Sequence, residues 1–185
     1  MKNGQFDQFH VLDFVNPAGI AALENPDLRF AAFSDSIVVS ADEHLAERFV
    51  ATLGSLFRSW FSDFVFVRGG VALGEIEWVD GTDDVDFRAL RNFQYARVFG
   101  RALAEAVDVE KSSGPGAVCF LSEGAASSLR TVRESFVVAG LVPMLAWADA
   151  QTADQFRRAV AEARGFAERH RKATEAHFER VVKGR

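Results

Sequence analysis

A single cysteine, Cys119, stands in this chain of 185 residues. That excludes an internal disulfide, and with it the cross-linked frameworks of small secreted domains. Cys119 lies in the apolar run GAVCFLS, where a thiol reads as a small buried hydrophobe rather than a nucleophile. Tyrosine is as scarce: one residue against eighteen phenylalanines, so the aromatic content is apolar and belongs to an interior. Positive charge is in deficit, with 21 Lys and Arg against 26 Asp and Glu, a net charge of −5. A broad nucleic-acid surface needs a basic footprint and is not expected; a small basic pocket for one nucleotide is compatible with this balance. No apolar run is long enough to span a bilayer, and MKNGQFDQFH lacks the apolar core of a signal peptide. The expectation is a cytoplasmic protein with no membrane partner. Also missing are a P-loop, a GxSxG elbow and a dinucleotide fingerprint. The four histidines, His10, His44, His170 and His177, lack metal-ligand spacing. No repeat, linker or low-complexity segment divides the chain.

What is present reads as one domain of strands and helices. Residues 1–27 are weakly patterned and end in the turn signal Asn25-Pro26-Asp27. LRFAAF and SIVVS then read as a β-hairpin around Ser34-Asp35. Ser40 and Glu43 have the spacing of a capping box. The box opens an amphipathic helix with Leu45, Phe49, Leu53, Leu56, Phe57 and Trp60 on one face. FVFVRGGVALGEIEW reads as one long strand interrupted by Gly69, Gly70 and Gly74. Residues 80–92 are a polar, acidic excursion, and YARVFG leads into the helix RALAEAVDVEKSS, which GPG at 114–116 stops. AVCFLS is a buried strand, EGAASSLR a short helix, and SFVVAGLVPMLAW one or two more strands. From Thr152, a candidate N-cap, a charged and alanine-rich helix is predicted to run to the end, with Phe156, Val160, Phe166 and Val181 in its apolar stripe. The division expected is a body over 1–150 and a C-terminal amphipathic helix over 151–185, packed on the body or on a partner. The class is α+β, with helices on one face of an antiparallel-rich sheet.

Three pieces stand in order: FSDSIVVS, VRGGVALGE and VFGRALAEAVDVEK. Together they resemble the class III nucleotidyl cyclase homology domain, most closely the bacterial pyrimidine (cytidylate and uridylate) cyclases of Pycsar antiphage defence. The likeness covers roughly residues 28–121 and rests on the series, since no piece is specific alone. It implies a ferredoxin-like core that dimerises, with sites at the dimer interface. It implies two Mg²⁺ or Mn²⁺ ions held by two aspartates, one on a first strand and one in the hairpin. Such ions bind the triphosphate and favour attack of the ribose 3′-hydroxyl on the α-phosphate, with release of pyrophosphate. The product would be sensed by a separate effector protein.

Carried over by position, Asp35 matches the hairpin metal aspartate and is the catalytic candidate. The plainer reading is an Asx-type turn acid. Arg97, just before VFG, falls where the resembling cyclases place a base-recognising side chain; it is otherwise a strand-end arginine reaching for solvent. Arg68 is a second candidate for phosphate or ribose contact, against an edge-strand charge. Phe33 lines the base pocket in the resemblance and is a core residue otherwise. Asp13, in VLDFVNPAG, is the weak second metal ligand, with a turn or helix-end acid as the alternative. It lies too close to Asp35 in sequence for the family's first strand, so that strand is expected to be incomplete here. Ala104 and Asp108 stand where purine cyclases carry an asparagine and an arginine. That departure favours the pyrimidine branch, and equally a catalytically degenerate module that binds nucleotide or only dimerises. Glu105 and Glu110 are expected as solvated helix positions.

Overall fold

The computed structural model describes residues 8–33, 36–63, 65–80, 96–162 and 168–183. The element order is α1 (Gln8–Glu24), β1 (Arg29–Phe33), β2 (Ser36–Ser40), α2 (Ala46–Ser62), β3 (Gly69–Val71), β4 (Glu77–Asp80), β5 (Ala96–Phe99) and α3 (Arg101–Ser112), followed by β6 (Cys119–Leu121), α4 (Glu123–Val132), β7 (Val137–Val138), β8 (Met144–Leu145), α5 (Ala150–Glu162) and α6 (Glu168–Lys183). Among the described residues this is a mixed, broadly α+β arrangement of six helices and small, mostly antiparallel sheets.

The hairpin β1–β2 pairs antiparallel, with Phe33 opposite Ser36 and Arg29 opposite Ser40. A four-stranded sheet has the order β3-β6-β8-β7, in which β3 and β6 are parallel and the other pairs antiparallel. A separate ribbon joins β4 to β5. The expected long strand over 64–78, whose first residue lies outside the described residues, is therefore two short strands in different sheets, broken between Val71 and Glu77.

The helices are not confined to one face. A Cβ added at Gly69 would meet the Phe57 ring of α2, whereas one at Gly70 would lie 2.0 Å from the Ala106 carbonyl oxygen of α3. Neighbouring residues of a strand point to opposite faces, so β3 is sandwiched between α2 and α3. Glycine at 70 is what lets α3 approach so closely. Gly100 precedes α3 at φ 137°, and its missing side chain leaves room for the Glu75 carbonyl.

The core is an aromatic cluster. On α2 the predicted face is buried at Leu53, Leu56, Phe57 and Trp60. Phe61 and Trp147 extend the cluster to Phe156 of α5 and Phe178 of α6, whose ring centroids are 5.2 Å apart. α5 and α6 pack on this body through Ala153, Phe156 and Phe178.

Two local expectations are corrected. Residues 8–24 are helical although weakly patterned: Pro17 lies inside α1, and tertiary contact supplies what amphipathic spacing does not. Phe14 stacks on Trp60 at 5.4 Å, and the Trp60 indole N–H donates to the Phe14 carbonyl. The continuous C-terminal helix is instead two helices, α5 and α6, with 163–167 outside the described residues; Val160 and Phe166 also have no described side-chain placement.

The caps differ as well. The Ser40 hydroxyl accepts from the Trp78 indole N–H and makes no capping box, and the short 3₁₀ turn at Glu43–Leu45 starts from Asp42. Asp149, not Thr152, caps α5. Its Oδ1 accepts from both the backbone N–H and the hydroxyl of Thr152 at 2.7 Å. Replacing Asp149 by alanine is expected to cost about 1 kcal/mol, or roughly 2–4 °C in Tm. A thermal melt unchanged by Asp149→Ala would show the cap to be idle.

Candidate functional site

Between the hairpin and the four-stranded sheet lies a groove of about 1220 Å³. Its two long walls are β2 and β3 with the residues that precede β3. Phe49, Leu53 and Phe57 of α2 line one side; Leu103, Ala106 and Val107 of α3 line the other. α3 is amphipathic, yet none of its residues is fully buried. Leu103 and Ala106 are half-buried and Val107 is 38% exposed, because the space they face is open.

The sequence candidates distribute unevenly around this groove. Arg68 lines it, but its guanidinium is engaged: Nε donates to a Glu110 carboxylate oxygen and Nη1 to the Gly114 carbonyl. Glu110 is thus a part-buried ion-pair partner rather than a solvated helix position, since the turn before β3 carries Arg68 against the last turns of α3. Phe33 ends β1 at 36% exposure and is not a core residue. The backbone of Arg97 pairs opposite Val79 in the β4–β5 ribbon; its side chain lies outside the described residues. Asp13 is half-buried on α1 and does not line the groove. Asp35 itself lies outside the described residues, in the two-residue link between Phe33 and Ser36. The positions Ala104 and Asp108 are exposed on α3.

Titration behaviour separates two buried groups. Burial pushes the Cys119 thiol up to about 12, which agrees with its reading as an inert core residue. Burial first and the Arg180 charge second lower the His177 imidazole to about 4. His170 accepts the Gly116 N–H at Nδ1, 3.2 Å, and lines the groove.

A metal centre is not evident in the described side chains. Among the described residues no group of three or more His, Cys, Asp or Glu is placed to hold an ion. No helix among them is long and apolar enough to cross a membrane. The residues that sequence reasoning missed are Leu103, Ala106 and Val107, the groove-facing stripe of α3. Their i, i+3, i+4 spacing was the available signal. Comparison of the chain with protein-family models, with curated proteins and with solved structures returned no match.

Proposed function

We propose that this chain is a nucleotidyl cyclase homology domain. Its reaction would convert a pyrimidine nucleoside triphosphate, UTP or CTP, to the 3′,5′-cyclic nucleotide and pyrophosphate. On this reading the sheets are parts of a ferredoxin-like core, the active form is a homodimer, and the product signals to a separate effector in antiphage defence. One observation carries the reading: three motifs far apart in sequence meet at one groove. SIVVS supplies one wall, Arg68-Gly69-Gly70 the other, and the helix after VFG a third side.

In the reaction the ribose 3′-oxygen bonds to the α-phosphorus, the bond to the pyrophosphate oxygen breaks, and the hydroxyl proton is lost. Two Mn²⁺ or Mg²⁺ ions would stabilise the attacking and leaving oxygens. The chain offers Asp35 as one carboxylate for them, and the described residues provide no matching second cluster. Arg97, at the end of the ribbon strand, is the candidate for the base carbonyls. Arg68 acts in this scheme by fixing α3 against β3 through Glu110, in place of direct phosphate contact.

The test is release of pyrophosphate and cyclic product by purified chain with Mn²⁺ and each of the four nucleoside triphosphates. Product from UTP or CTP is expected, lost in Asp35→Ala with unchanged circular dichroism. No product from any of the four would end the catalytic reading. It would leave the second one, a degenerate module that binds nucleotide or dimerises. That alternative is favoured by the exposed Ala104, which cannot hydrogen-bond a ribose, and by the commitment of Arg68 to Glu110. Nucleotide-induced thermal shifts without turnover are its expected signature.

A further inference from the structure

The groove has the form of an empty strand position. Among the described residues, β3 is the edge of its sheet, and β2 belongs to a hairpin that has no other strand partner. Both strands line the groove, and they do not pair with each other. The ladder shows which way the β3 backbone faces. The Gly69 N–H donates to Val118, and the Val71 carbonyl accepts from Ser122. Strand backbone groups alternate in direction, so the amide and carbonyl of Gly70 turn away from β6 and toward the groove. Backbone groups in an apolar surround need partners. The electrostatic complement of such an edge is another peptide backbone, carrying donors and acceptors at strand spacing on both of its sides.

We propose that the groove docks a β-strand from a partner polypeptide, about five residues long to match β2. It would pair with β2 on one side and β3 on the other, about 4.8 Å from each. α2 covers one face of this position and α3 the other, so the incoming strand is apolar on both faces, as strands buried on both sides are. Joining the hairpin to the four-stranded sheet distinguishes this from ordinary strand addition, which extends one edge only. The proposal stands apart from the cyclase reading: it rests on backbone pairing and apolar walls and needs neither nucleotide nor metal.

The probe is a capped synthetic peptide, Lys-Val-Ile-Val-Ile-Val-Lys, added to the intact chain and followed by calorimetry and amide hydrogen exchange. Saturable binding is expected, with exchange at Gly70 and at the outward amides of β2 slowed about tenfold or more. Peptides N-methylated at alternate residues should fail in either parity, because both edges of the strand are used. Val107→Arg, at a half-open position that the fold does not bury, should lose binding with exchange elsewhere unchanged. No binding, or binding that survives N-methylation in one parity, would overturn the proposal. So would protection of these amides in the chain alone that vanishes on dilution, since a second copy would then fill the groove.

Discussion

Truncating Phe156 to alanine is expected to remove about 3–5 kcal/mol of stability, the range for a buried aromatic. Phe156 is fully buried although it sits on α5, in the charged C-terminal third. Its ring meets Phe61 at 5.4 Å, Phe66 at 6.1 Å and Phe178 at 5.2 Å. It therefore joins α2, the segment before β3 and α6 at one point. Among the described residues, the rings around it are themselves packed edge to face and close little of the cavity left by truncation. Loss should be cooperative: the midpoint of urea unfolding falls while the transition stays single. If α5 and α6 melted first, in a separate transition, the pair would be an appendage rather than part of the core.

The second large effect depends on pH. His177 is 1% exposed, and among the described residues neither ring nitrogen has a hydrogen-bond partner. Its ring stacks on Trp147 at 5.8 Å, and Phe178 flanks it. Among the described residues, the charge that bears on it is that of Arg180, a cation. Burial therefore favours the neutral ring and holds the imidazole near 4 in the folded chain, against 6.5 when unfolded. Between those values the unfolded state binds the extra proton, so stability rises with pH. The contribution is complete above 6.5 and is lost as pH falls toward 4. By then it amounts to about 3 kcal/mol, from the free energy of one pKa unit. His177→Leu removes the titration and leaves no unpaired nitrogen behind. Urea unfolding near neutrality should separate the two proteins little, and unfolding near pH 4.5 should favour the variant. An equal acid loss in both would assign the effect to other groups.

These two residues show where the sequence was legible and where it was not. Phe156 was placed in an apolar stripe because helical spacing is a local property, and α2 was read from the same periodicity. The hairpin followed from Asn25-Pro26-Asp27 and the short apolar runs around residues 34–35. His177 was read as part of a charged helix, since nothing in its neighbours along the chain says that α6 turns that face to Trp147. The pairing of Arg68 with Glu110 spans 42 residues and has no local signature either. α1 escaped notice because its stability comes from Phe14 against Trp60 rather than from its own pattern. Of the candidate site, the motifs were legible as pieces. Their convergence on one groove is a property of topology, as is the division of the glycine-rich segment between two sheets.

Cys119 gains a further meaning from its place in β6. A Cβ at Gly69 would lie 3.4 Å from its sulfur and 3.3 Å from the Phe57 ring, so the thiol sits beside β3 on the face that α2 covers. With its proton held to about 12, it reacts only when it is brought to water. The chain has no other sulfhydryl to compete for reagent. Cys119 also lines the groove, so its alkylation rate is a clock that ticks each time α2 lifts from this face of the sheet, and a strand seated in the groove would slow that clock.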